Sequence, residues 1–320
     1  MTRIAVLDDY QNVALDMADW DRLPDGVEVV TFDDHLFDTD AVAERLAEFD
    51  IVCAMRERTP FPRPLLERLP NLKLLITSGA RNASIDLRAA AEHGVTVCGT
   101  GSVGHGTAEL TWGLIIALMR HIPLEYQSVV DGGWMTNVGN DLGGKTLGLI
   151  GLGRLGSRVA AVGKAFDMRV VAWSQNLTAE RAAEQGVERV ELDQLLSESD
   201  VVSVHVVLSE RTRDLLGRAE LAKMKSSAIL VNTSRGPIVN EDALVEAVTQ
   251  GRIRAVGLDV YDVEPLPYDH PLRQLPNALL TPHIGYVTEE SYRRFYGDMV
   301  ENILAYLDGK PIRVIEPPAS

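Results

Sequence analysis

Short runs of Val, Ile, Leu and Ala recur along this chain, each too brief for a helix and each followed by a stretch with helical spacing. RIAVLD (3–8), DIVCAM (50–55) and LKLLIT (72–77) alternate with segments such as 41–48, and a fourth run, 95–98, precedes the glycine-rich GTGSVGHG at 99–106. From position 145 the alternation restarts with more regular spacing, in KTLGLIG, MRVVAWS, ESDVVSVHV, SAILVNTS, AVGLDV and NALLTPHIG. A parallel strand buries both of its faces, and its crossover supplies the helix that covers it, so runs apolar on both faces and spaced by helices suit a parallel sheet. The pattern predicts an α/β chain with two doubly wound parallel sheets. At 320 residues, 46% of them apolar, there is material for two cores of ordinary size.

The boundary is expected at 99–106, after which 107–121 reads as a long, largely buried helix. A second helix is expected over 155–166. The apolar and aromatic residues between Glu289 and Leu307 also recur at helical spacing, and this last helix is expected to return to the first domain. Residues 1–100 with 286–320 then form one domain, and residues 101–285 are inserted as the other. Only EPPAS at the C-terminus reads as loose.

Lys and Arg number 31 against 46 Asp and Glu, a formal charge of −15, so the surface as a whole repels phosphate backbones and anionic membranes. Nucleic acid and membrane are therefore not expected as partners. An anionic ligand must be drawn to a local cluster of arginines working against the overall field. The two cysteines, Cys53 and Cys98, form no CxxC pair and have no histidines at metal-ligand spacing, so neither a disulfide framework nor a metal site is expected. MTRIAVLDDY has no apolar leader, and no apolar run reaches the roughly 18 residues of a membrane span. A cytoplasmic protein is expected.

GLGRLG, Gly151 to Gly156, follows the strand-like 146–150 and opens the helix after it. In this context the glycines have separate tasks. Gly151 makes the tight turn, Gly153 lets backbone approach a pyrophosphate, and Gly156 allows close helix-to-strand packing, with the helix N-terminus facing the phosphates. A dinucleotide site is predicted. An acidic residue normally stands about 20 residues on to hold the ribose, but here the position is Ser174, followed by Gln175 and Asn176. No Asp repels a 2′-phosphate, and no adjacent Arg attracts one. The nearest cation, Arg181, follows Glu180 in the next helix, which tips the reading to NAD without excluding NADP.

Three further segments end strands in the same half: NTSRGPIVNEDAL with Arg235, GLDVYDVEP with Asp259 and Glu264, and LLTPHIG with His283. Ligands of open α/β sheets bind at such ends. Taken singly, each residue has a plain structural explanation: a satisfied core histidine, a solvated carboxylate, a surface ion pair. Taken in order after GLGRLG, the segments resemble the D-isomer-specific 2-hydroxyacid dehydrogenases, over almost the whole chain and most strongly between Gly144 and Gly285.

The resemblance implies a Rossmann NAD(P)-binding domain inserted into a flavodoxin-like substrate domain, a cleft between them as active site, and a homodimer. It implies Arg235 as the substrate-binding arginine, Glu264 as the acid partner and His283 as the acid/base. For the cofactor it implies Arg154 and Leu155 at the pyrophosphate, Ser174 at the ribose, Thr212 in the SERT stretch, and Thr233, Asp259, His283 and Gly285 on the nicotinamide side, with Thr107 at the head of the interdomain helix. The chemistry fits independently. A nicotinamide carries hydride, so the protein must supply a proton donor for the carbonyl oxygen and a group to hold the neighbouring carboxylate. The guanidinium fork of Arg235 suits the second task, and an imidazole favoured in its protonated form by a carboxylate such as Glu264 suits the first.

The departures from the family pattern lie on the substrate side. The usual GxGxDNxD loop is replaced by SGARNASID at 78–86, which keeps Gly79, puts Arg81 at the second glycine and turns the Asp-Asn pair into Ala83 and Ser84. Gly79, Ala80 and Arg81 are the candidates for binding the substrate carboxylate through their amides. Two readings of the Arg81 side chain stand side by side, a second anion contact or a solvent-facing ion pair. MRERTP at 55–60 keeps Arg56 and Thr59, while Glu57 replaces a small residue and is expected to turn away from an anion. GTGSVGHG lacks an Asn-x-Pro entry, and Tyr286 follows HIG where a small residue is common. The resemblance points to a small 2-oxo acid such as glyoxylate or hydroxypyruvate as substrate. Phosphoglycerate is less favoured, since the chain stops where longer members continue into regulatory domains. Formate is disfavoured by Glu264, where formate dehydrogenases carry a glutamine. A non-catalytic NAD(H)-binding sensor of the corepressor type is the alternative reading.

Overall fold

The computed structural model describes residues 1–318, so Ala319 and Ser320 of the EPPAS segment lie outside the described residues. The chain divides into two compact units, Met1–Val103 together with the stretch from Val287 onward, and Gly104–Tyr286.

The first unit holds five parallel strands, β1 (Thr2–Val6), β2 (Val27–Thr31), β3 (Ile51–Ala54), β4 (Leu74–Thr77) and β5 (Thr96–Cys98), in the order β2-β1-β3-β4-β5. Every residue of β3 and β4 is buried, as their unbroken apolar sequences require. VEVVT of β2 is half-buried throughout, which suits its place at the sheet edge. The sequence reading passed over it, because a run carrying Glu28 does not look like an interior parallel strand. The helix Thr39–Leu46 begins where the Asp38 carboxylate accepts the amides of Asp40 and Ala41, and buries Val42, Ala43 and Leu46. The helix Glu289–Leu307, capped by Thr288, lies in this unit and packs against β4. Its Phe295, Tyr296 and Ile303 are fully buried, and the apolar side chains of Phe295 and Ile303 each contribute about 1.5–3 kcal/mol of transfer free energy. The chain then returns to the sheet, where the Ile315 amide donates to the Val97 carbonyl and Gly99 donates to Arg313.

The second unit holds seven parallel strands: β6 (Thr146–Ile150), β7 (Arg169–Trp173), β8 (Glu188–Arg189), β9 (Val201–Val204), β10 (Ile229–Asn232), β11 (Ala255–Leu258) and β12 (Ala278–Leu280). Their order is β12-β11-β10-β9-β6-β7-β8. The winding reverses at β6, which pairs with β7 on one side and β9 on the other, so the switch point opens at the carboxyl ends of β6 and β9. The helix Gly106–Met119 is apolar nearly all round and buries Trp112, Leu114, Ile115 and Met119.

It is followed by a helix the sequence reading missed, Ile122–Val130, of which no residue is buried. The stretch behind it exposes Trp134, Met135 and Val138 by 71%, 80% and 92%. The Glu125 carboxylate ties this arm down by accepting the side chains and backbone amides of Asn137 and Thr136, and the side-chain hydrogen bonds from Asn137 and Thr136 do most to hold the carboxyl down at about 2. Among the described residues no helix is long and apolar enough to cross a membrane, and both thiols, Cys53 and Cys98, are free and buried.

Candidate active site

The glycine turn stands at the switch point. Gly151 has φ +104°, and a Cβ there would lie 2.7 Å from the His205 carbonyl oxygen that follows β9. A Cβ on Gly156 would lie 2.1 Å from the Gly151 carbonyl oxygen, so the helix Arg154–Ala165 can approach the strand this closely only with glycine there. A Cβ on Gly153 would meet nothing within 4 Å, which leaves the open side of the turn to a ligand. Gly151, Gly153, Arg154 and Ser174 line one cavity of about 500 Å³ with Arg181 and His205. A glycine cradle at a helix N-terminus, with Arg154 beside it and a hydroxyl at the end of β7, fits a dinucleotide. His205 accepts or donates at Ser203 Oγ over 2.9 Å, and desolvation pushes its imidazole down to about 4, so it enters the cavity uncharged near neutral pH.

A second group of residues assembles at the carboxyl ends of β10, β11 and β12. After β10, the Asn232 side chain donates to the Arg235 carbonyl over 2.9 Å and accepts the Ser234 amide over 3.0 Å, an Asx turn that fixes the backbone presenting Arg235. After β11, the Asp259 carboxylate is 1% exposed. It accepts the Thr281 hydroxyl at 2.6 Å and the amides of Ile284 and Gly285 at 2.8 Å each. Burial pushes this carboxyl above its ordinary range, against the three hydrogen bonds that favour its charge. These bonds shape the loop after β12, where His283 sits at φ +53° with its Nδ1 2.5 Å from Glu264 Oε2. Glu264 is itself oriented, because Oε1 accepts the Tyr261 amide at 2.9 Å. The Tyr261 hydroxyl in turn donates to the Thr281 carbonyl at 2.9 Å, which ties the two loops together. The Tyr286 ring packs edge-on to His283, with centroids 5.6 Å apart. Thr107 donates to the Gly285 carbonyl over 2.9 Å, and Thr111 meets the Thr233 hydroxyl at 2.8 Å, so the helix Gly106–Met119 braces the same strand ends.

In the first unit, Arg56 has φ +53° and its backbone is held on both sides, by Ser78 Oγ at 2.9 Å and by the Asn82 side-chain amide at 2.6 Å. Its guanidinium lies over Gly79, where a Cβ would come 2.1 Å from Nη1. Glu57, expected to turn away from an anion, has its carboxylate 3.7 Å from Arg56 Nε. The Gly79 amide donates to Thr100 Oγ1 at 2.7 Å, so of the three amides expected at an anion, those of Gly79, Ala80 and Arg81, the first is already engaged. The Arg81 side chain is exposed and makes no ion pair among the described residues.

The structure thus brings Arg235, Asp259, Glu264, His283, Gly285, Thr107 and Thr233 to neighbouring strand ends and gathers Gly151, Gly153, Arg154 and Ser174 around the cavity. Leu155 and Gly156 belong to the first turn of the helix behind it. Thr212 does not line the cavity: its hydroxyl donates to the Val207 carbonyl at 2.7 Å and accepts the Ser209 amide, closing its own loop. Sequence reasoning missed Tyr261, Thr111 and His205: Tyr261 and His205 lie inside runs singled out for other residues, and Thr111 lies within an apolar helix.

Residues 112–285 match the family described as D-isomer specific 2-hydroxyacid dehydrogenase, NAD binding domain. A glyoxylate reductase of Aeropyrum pernix is 41% identical over 77% of this chain and 76% of its own length. A hydroxypyruvate reductase of Thermotoga maritima is 38% identical over 93% of this chain and 97% of its own. Among solved structures, a phosphoglycerate oxidoreductase from Vibrio cholerae aligns with a TM-score of 0.92 at 35% identity, covering 97% of this chain and 100% of that one. The α/β architecture, the NAD-binding unit and these relatives agree, and the chain belongs to the D-isomer-specific 2-hydroxyacid dehydrogenases, oxidoreductases that use NAD.

Proposed function

We propose that this enzyme interconverts a small 2-oxo acid and its D-2-hydroxy acid, with His283 as acid/base, Glu264 as its partner and Arg235 as the carboxylate ligand. The observation that carries the reading is the 2.5 Å contact of His283 Nδ1 with Glu264, on strand ends neighbouring the one that Arg235 follows. The bound cofactor supplies or takes the hydride at C2. In reduction, protonated His283 gives its Nε2 proton to the carbonyl oxygen; in oxidation, the neutral ring removes it. Glu264 holds the Nδ1 proton and so fixes the ring's orientation while stabilising its charge. Arg235 grips the carboxylate with its fork, next to the carbonyl. Asp259 holds the loop in the shape that presents His283. The reading also assigns Arg56 and the amides of Ala80 and Arg81 to the substrate's negative charge. Glyoxylate and hydroxypyruvate, named in the relatives, are the substrates to try first.

Glu264→Gln tests the coupling. Glutamine keeps a hydrogen-bonding side chain beside His283 but removes the carboxylate that orients the ring, so kcat of the reductive reaction is expected to fall by about tenfold or more with the cofactor Kd unchanged. An unchanged kcat contradicts the pairing.

The same reading includes a homodimer, supported by the exposed apolar helix Ile122–Val130 and the arm with Trp134 and Met135 that Glu125 holds in place. A second copy of this face is its occupant. Sedimentation of the wild type is expected to give a dimer, and Tyr126→Glu with Trp134→Glu a monomer. A monomeric wild type contradicts it.

A further inference from the structure

We infer that the ribose end of the cofactor cavity is built to accept a 2′-phosphate, held by Arg181 and Ser174, so that this enzyme takes NADPH as well as NADH. The inference rests on the reading of the cavity as the dinucleotide site. β7 ends at Trp173, and the residue that follows, where a ribose-binding carboxylate would stand, is Ser174. A carboxylate there repels a phosphate, whereas a hydroxyl can donate to it.

In the sequence Arg181 stands in the next helix, directly after Glu180, which tips the reading toward NAD. The structure places it on the wall of the same cavity as Ser174 and Asn176. The helix Ala179–Glu184 starts at Thr178, whose hydroxyl accepts the Arg181 amide, and this turns the chain back toward the end of β7. Glu180 does not neutralise the guanidinium. Its carboxylate is held below the usual range by its own backbone amide and by the Thr178 hydroxyl, and it does not line the cavity. Elsewhere on this unit Arg169 is tied to Glu188 and Glu198, and Arg189 to Glu191. Arg181 makes no such pair among the described residues, so its charge remains available to an anion in a chain of net charge −15. The single carboxylate on the wall is Glu184, three residues further along the same helix. It is the one group there that opposes a phosphate or could take the ribose hydroxyls itself.

Binding is measured directly, by nicotinamide fluorescence with NADH and NADPH, without substrate. The wild type is expected to bind both. Arg181→Ala is expected to weaken NADPH by about tenfold or more, the loss of one charge-assisted phosphate contact, and NADH by less than about threefold. Ser174→Asp is expected to penalise NADPH far more than NADH. Equal effects of Arg181→Ala on both cofactors overturn the phosphate subsite. Loss of NADH binding in Glu184→Gln does so too, since it places the ribose-binding carboxylate in the cavity. Wild-type binding of NADH with none of NADPH also overturns it and leaves the dehydrogenase reading standing. Binding of neither overturns both.

Discussion

His283→Gln is expected to lower kcat by two or more decades while the cofactor Kd stays within about twofold, because general acid-base catalysis is worth about 10²–10⁴ in rate. Glutamine is the informative replacement. Its side chain is uncharged and does not titrate, yet it can still donate a hydrogen bond toward Glu264, so the loop that Asp259 holds through Thr281, Ile284 and Gly285 has no reason to collapse. The defect should therefore lie in the proton-transfer step, and a melting temperature close to the wild type's should accompany it. Near-normal turnover would remove His283 from the chemistry and leave its contact with Glu264 as a structural ion pair.

Arg235→Gln is expected to lower kcat/KM for the oxo acid by roughly 30- to 1,000-fold, the equivalent of about 2–4 kcal/mol for a desolvated charge pair that loses one member. The backbone that carries Arg235 is fixed by the Asn232 side chain, so the substitution removes the guanidinium without releasing the turn. The cofactor Kd should not follow, since the glycine turn and the cavity of Ser174 and Arg181 do not include position 235. Arg235→Lys is expected to recover only part of the loss, because an ammonium is a point charge and cannot bridge a carboxylate and the oxygen beside it. An unchanged KM and kcat/KM in Arg235→Gln would mean that another cation holds the carboxylate.

Much of this was legible in the sequence for a physical reason. Interior parallel strands are buried on both faces and must be apolar throughout, so β3, β4, β6 and β9 to β11 announce themselves, and the polar residues that close each run mark where ligands can be met. The strand-end positions of Arg235, Asp259, Glu264 and His283 were read in this way. Elements that bury less were not. β2 is a half-buried edge, β8 is two residues long, and Ile122–Val130 buries nothing within the chain. The remaining misses concern partners distant in sequence. No spacing rule reveals that the Gly79 amide is taken by Thr100, that Glu57 lies beside Arg56, or that a capped turn at Thr178 brings Arg181 to the same wall as Ser174. Each depends on how the loops close over the strand ends.

Arg235, Glu264 and His283, on neighbouring strand ends, are proposed to carry the reduction of a 2-oxo acid by hydride from the nicotinamide cofactor. The direct measurement follows the loss of nicotinamide absorbance when the purified wild-type enzyme meets a panel of 2-oxo acids that includes glyoxylate and hydroxypyruvate, with NADH and with NADPH. Turnover of at least one member is expected, with a product of D configuration wherever the new centre is chiral. Tight cofactor binding with no turnover across the panel would contradict it.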